Sequence, residues 1–189
     1  MKSHAHQLGW DALVPMSLLG IPTAQFSPPL RAVGLSHEAA IAFHRVLGRA
    51  TLILVSGHFG FYGLAWALDG GAKLFWDETL QVCHHGPRVT KLPIGRAFRP
   101  GCTGVANFFG FLAWGVGILL GVGSFYVVRR RSYALFMATH QLHWLWWFFA
   151  CLHYPGALAF VAPALIFFVA DGARRLVSER TVRLSLIHI

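Results

Sequence analysis

What this chain has least of is charge, and above all negative charge. Asp and Glu together number 7 in 189 residues, Lys and Arg 16, and charged residues make up 12% of the whole. A water-soluble domain draws on roughly twice that share to cover its surface. The formal charge of +9 is a signature shared with nucleic-acid binders, but the basic residues stand at the ends of apolar stretches, where membrane proteins use them as topology signals. Nucleic acid is therefore not an expected partner. Cysteine is also scarce: three residues and no CxxC, which argues against a zinc ribbon. Cys83 and Cys102 share one long loop and can pair if it faces an oxidising compartment, or remain as two thiols. Cys151 lies in an apolar run, where a small buried hydrophobe is the default. No repeat, heptad or low-complexity run is present. No cleavable signal peptide is evident, because the apolar stretch near the N-terminus is interrupted by Asp11 and Pro15. That stretch reads as the end of a spanning segment, or as a chain beginning mid-protein.

What is abundant is apolar surface: 56% hydrophobic residues and a mean hydropathy of +0.55. A spanning helix needs about 20 mostly apolar residues. Four stretches approach this: residues 39–68 (uncharged from 50), 105–128, 133–154 and 157–170, the last extending through Asp171. A fifth, residues 10–21, is shorter and interrupted. The expected fold is therefore all-α: a polytopic membrane helix bundle with four clear spans and a partial fifth at the N-terminus. Residues 69–104 form a long loop rich in Gly, Pro, Lys and Arg. The run Arg129, Arg130, Arg131 and the sequence HYPG make tight connections. If the helices alternate, Arg31, Arg45, Arg49, Arg129, Arg130, Arg131, Arg174 and Arg175 fall on one side, which is then cytoplasmic or its equivalent. The domain is placed at residues 1–183, with 184–189 (LSLIHI) as a possible non-native tail.

Eleven histidines are present, and four carry the argument. His44 and His58 stand 14 residues apart on the first span, His140 and His153 13 apart on the third. At 1.5 Å per residue each pair is separated by about 20 Å along its helix, within a hydrocarbon core about 30 Å thick. Parallel spans of this kind create two levels of facing imidazoles, His44 with His140 inside and His58 with His153 outside. Each level suits one iron held between two nitrogens. The geometry is imperfect. Fourteen residues leave two side chains about 40° apart around an ideal helix, but thirteen leave them about 140° apart. A bend or π-bulge between His140 and His153 would help; otherwise the two irons sit on different flanks.

Polar groups inside a bilayer are costly and usually functional; the plain alternative is that these histidines bond across helices and bind nothing. His143 is a second candidate for the inner position, His84 and His85 read as loop residues, and His4, His6, His37 and His188 as surface. Arg45 and Arg49 flank His44, where they can pair with haem propionates or anchor the helix at the membrane surface. The aromatics crowding residues 144–149 read chiefly as lipid-facing bulk.

Three segments resemble one family. AFHRVLGRATLILVSGHFGFYG is similar to the third transmembrane helix of ferric reductases and NADPH oxidases, RRRSYALFMATHQLHWLWWFFACLHYPG to their fifth, and PALIFFVADGARRL to their sixth. The HRVLGR pattern resembles plant and algal ferric-chelate reductases most. The resemblance implies two b-type haems on His44, His58, His140 and His153. It also implies electrons arriving from cytoplasmic NAD(P)H through FAD, and a ferric chelate or oxygen as acceptor. In that family the flavin and nucleotide bind a module after the last helix. This sequence ends soon after Arg175 with no GxGxxG, so both cofactors are expected only through a missing C-terminal reductase module, and the chain reads as a fragment or a stand-alone haem module. The expected setting is lipid, as a multi-pass protein of the plasma membrane or an organelle. The competing readings are a superoxide-generating NADPH oxidase, a haem electron-transfer subunit without its own dehydrogenase, and a channel or structural membrane protein without haem.

Overall fold

The computed structural model describes residues 1–21, 23, 32–80 and 104–187, and side chains at all of these but 104, 105, 175, 176 and 178–187. Cys83, Cys102, His84, His85 and His188 lie outside the described residues, as does most of the long loop. Among the described residues there is no strand. Seven helices follow one another among these residues: α1 (Lys2–Leu18), α2 (His37–Leu80), α3 (Gly104–Gly123), α4 (Tyr126–Arg131), α5 (Tyr133–His140), α6 (His143–His153) and α7 (Ala157–Ile187).

Among the described residues three helices are long and apolar enough to cross a membrane, spanning His37–Leu80, Ala106–Gly123 and Ala157–Arg174. Their outward faces are apolar: Ile53, Leu68, Leu119, Ile166 and Val169 are all exposed. Such a surface suits lipid and not water. The protein is a multi-pass integral membrane protein.

The expected count of four spans and a partial fifth is not reproduced. The third expected span, 133–154, is divided into α5 and α6 at Gln141 and Leu142. Their dihedrals (φ −64°, ψ −18° and φ −63°, ψ −9°) are close to 3₁₀ values, and the amides of Leu142 and Trp144 bond three residues back instead of four. Hydropathy is blind to such a local tightening. The second span stops at Gly123, five residues short of the expected end, and the arginine run forms α4. At the other end α1 starts at Lys2, well before the expected residue 10, and carries Pro15 within it. Part of the expected loop is also helical. Gly70 and Gly71 are non-helical, Gly71 with φ +70°, a conformation that glycine adopts without a Cβ penalty. Beyond them the chain folds back, so that Phe75 meets Phe59 and Trp66.

The chain divides into two compact units. One comprises residues 1–12 and 52–158. In it α3 packs most extensively on α6, Phe59 stacks on Trp114 at 4.2 Å between ring centroids, and Trp146 and Trp147 are buried. The turn after α6 is as tight as HYPG suggests, with the amide of Ala157 donating to Tyr154 at 2.8 Å. The other unit comprises residues 13–51 and 159–189. Its core holds Leu13, Met16, Ala40, Leu47, Val161 and Ala164, and Gly20 lies directly against Ala164.

Candidate haem-ligand site

His58 and His153 are brought together. His58 sits on the part of α2 that belongs to the larger unit, and His153 closes α6. Their ring centroids are 5.9 Å apart, with an interplanar angle of 70°. Each ring is half-buried and held from behind by a backbone carbonyl. His58 Nδ1 is 2.7 Å from the oxygen of Ala5 on α1, and His153 Nδ1 is 2.7 Å from that of Ala106 on α3. A carbonyl only accepts, so Nδ1 carries the proton in both rings. Nε2 then presents its lone pair. Among the described residues neither ring makes a second hydrogen bond.

This is the arrangement that metal-binding histidines adopt, with one nitrogen tied to an acceptor and the other a ligand of fixed tautomer and enhanced basicity. The spacing fits as well. Two imidazoles on opposite sides of one metal, each at a bond of about 2 Å, place their centroids about 6 Å apart. Rings sharing one metal axis are free to differ in twist about it, so 70° is admissible. Among the described residues no cluster of three or more His, Cys, Asp or Glu exists. A pair of imidazoles presenting Nε2 is a donor set that fits haem iron.

The remaining candidates fall elsewhere. His44 is half-buried in the smaller unit, with Nδ1 2.9 Å from the carbonyl oxygen of Leu19. His140 belongs to the larger unit, where its Nδ1 lies 3.3 Å from the Ser124 hydroxyl. Each of these two is described within its own unit. Arg45 and Arg49 are exposed on α2. His143 puts Nδ1 2.7 Å from the carbonyl oxygen of His140, which ties its ring to the break between α5 and α6. His4, His6 and His37 are exposed, in keeping with their reading as surface residues. Cys151 is partly buried and unpaired.

Sequence reasoning missed the partners of these rings. The register of α3 against α6 matches Gly110 to His153 and Gly117 to Trp146, and just past α3 Ser124 meets His140 at the end of α5. The available signal was the small residue recurring every seven positions along α3, since small residues mark close helix contacts in membranes. Trp146 lies midway along this register, 5% exposed, and among the described residues its indole N–H has no hydrogen-bond partner.

Comparison with known proteins identifies a family. Residues 8–153 match the family described as ferric reductase like transmembrane component. Over 183 residues the chain is 28% identical to ferric reduction oxidase 2 of Arabidopsis thaliana, covering 95% of this chain and 22% of that protein. Ferric reduction oxidase 3, mitochondrial, from the same plant is 27% identical over 95% of this chain and 22% of its own length. For ferric reduction oxidase 7, chloroplastic, the figures are 28%, 93% and 21%. The chain thus spans about a fifth of the length of these relatives.

Proposed function

The chain belongs to the ferric-reductase-like transmembrane component family, and from that premise we propose that it carries electrons across a membrane through two b-type haems, each held between two histidines. His58 and His153 hold the outer one. His44 and His140 hold the inner one, a pairing that rests on their spacing along the chain. The observation that carries the reading is the facing pair of imidazoles 5.9 Å apart, each with Nδ1 committed to a carbonyl.

The haems would supply reversible one-electron chemistry at iron. The protein's part is to bind and to orient. His58 with His153, and His44 with His140, would hold the haems, and iron held by two imidazoles would favour electron transfer over binding of oxygen. The carbonyls of Ala5 and Ala106 keep the ligand tautomer fixed, so no proton need move when the electron does. The Tyr62 ring, 5.2 Å from that of His58 between centroids, adds an aromatic wall beside the outer pair, and such a shell limits access of water. Arg45 and Arg49, beside His44 on the side read as cytoplasmic, offer guanidinium groups to haem propionates.

The names of the relatives point to a ferric substrate. We take the whole protein to be a ferric-chelate reductase whose electrons come from NAD(P)H through FAD on a separate or appended reductase module. Pyridine haemochrome analysis against protein concentration tests the haem load. Two low-spin b haems per chain are expected; one would remove half of the reading and none would remove all of it.

A further inference from the structure

The rings of His58 and His153 reach their carbonyls by the same local device. His58 bonds Ala5, and a Cβ added to Gly9 would lie 2.7 Å from its Nδ1 and 2.9 Å from its Cε1. His153 bonds Ala106, and a Cβ added to Gly110 would lie 2.7 Å from its Nδ1 and 2.8 Å from its Cε1. In both cases the glycine follows the carbonyl by four residues. Helix geometry explains the offset. The carbonyl of residue i points along the axis toward residue i+4, whose amide takes one of its two lone pairs. A ring approaching the other lone pair from outside must pass over position i+4. A side chain there stands where the ring has to be. Two helices of unrelated sequence, α1 and α3, carry this carbonyl–glycine pair, and they present it to the two rings that face each other. Other helical glycines do not share it: Gly60 and Gly115 have nothing within 4 Å of an added Cβ.

We propose that Gly9 and Gly110 are positioning residues of the outer haem site, each admitting one axial imidazole to the carbonyl four residues before it. The inference rests on the reading of His58 and His153 as ligands of one haem. The N–H···O=C bond sets the tautomer and plane of each ring and raises its basicity. A more basic ligand favours ferric iron. Alanine at either position forces the ring off its carbonyl and weakens that preference. Loss of such an outer partner typically changes metal affinity 10- to 100-fold. A tenfold loss borne by the ferric state alone raises a one-electron potential by about 59 mV.

The test uses the haem-loaded full chain, titrated optically for midpoint potential and read by EPR for the low-spin ferric signals. Gly9→Ala and Gly110→Ala are compared with the unsubstituted chain, and Gly60→Ala and Gly115→Ala serve as references. We expect one haem of the two to rise by about 59 mV or more and to shift its EPR g values in both test variants. The second haem and both references should stay unchanged. Test variants indistinguishable from Gly115→Ala would overturn the inference, as would equal shifts in both haems, which signal general loosening. If neither alanine protein folds, electron–nuclear double resonance on the unsubstituted ferric chain decides. A hydrogen-bonded Nδ1 proton protected from exchange is expected at the outer haem, and a freely exchanging one overturns the proposal. An unsubstituted chain without haem sinks the ligand reading itself. Two haems with unmoved test variants sink the glycine inference alone.

Discussion

The two ends of residues 133–153 hold their histidines differently. At the C-terminal end His153 closes an uninterrupted helix, and its ring nitrogen meets a backbone carbonyl at 2.7 Å. Toward the N-terminal side His140 stands at the last position of α5, beside a hydroxyl at 3.3 Å. A carbonyl accepts and does nothing else, whereas a serine hydroxyl donates or accepts. The first contact dictates a tautomer, and the second by itself does not. The helix also changes its winding directly after His140. Each residue of 3₁₀ geometry turns the chain by about 120° instead of 100°. A few such residues reduce the mismatch of about 140° expected between His140 and His153 on an ideal helix. His153 is thus held by an uninterrupted helix and a carbonyl, whereas the tighter winding after His140 turns that residue toward the direction of His153.

Four expectations break or sharpen that contrast. The largest effect is on haem content. His140→Leu should remove one haem of two, while His143→Leu should leave both, with at most a shifted potential, because the 13 residues from His140 to His153 match the 14 from His44 to His58 more closely than the 10 from His143 do. Loss of a haem in the His143 variant alone would show that the break serves to present His143 instead.

A smaller effect is expected at Trp146, midway between the two ends. Its N–H is buried without a partner among the described residues, and such a group costs about 1–3 kcal/mol. Phenylalanine removes that cost but leaves a cavity worth about 1 kcal/mol. The two nearly offset, so Trp146→Phe should be neutral to stabilising in thermal unfolding of the haem-loaded chain. A loss of several degrees in melting temperature would mean that the indole has a partner in the loaded protein.

The smallest effect belongs to the hydroxyl. Ser124→Ala removes a long neutral contact, which is worth about 1 kcal/mol or less. The inner haem potential should move by less than about 59 mV, against a larger shift when either outer carbonyl contact is lost. Equal shifts at the two positions would erase the contrast.

Much of this was legible in the sequence, and the rest was not for physical reasons. The all-α membrane character follows from charge depletion and long apolar runs, which report burial in lipid directly. The four histidines stand out because an ionisable side chain in such a run is expensive. The division of residues 133–153 was only half legible. The 13-residue spacing pointed to a bend or to sites on different flanks, but hydropathy does not distinguish α from 3₁₀ winding, so Gln141 and Leu142 could not be singled out. Helix α1 was missed over its first half because its polar residues, among them Lys2, Gln7 and Asp11, hide it from a hydropathy window. Two of them are engaged locally, Gln7 donating to Asp11 at 2.9 Å. The acceptors of the outer rings were invisible in principle, since every residue has a carbonyl. Only the glycines four residues later left a trace.

The central claim is that His58 and His153 bind the same iron, and non-additivity tests it most directly. Haem per chain is measured for His58→Leu, for His153→Leu and for the double variant. If the two rings share one haem, each single variant loses it and the double variant has nothing further to lose, so all three retain one haem. If the double variant instead loses a second haem, or if either single variant keeps two, the rings do not share an iron and the account is wrong.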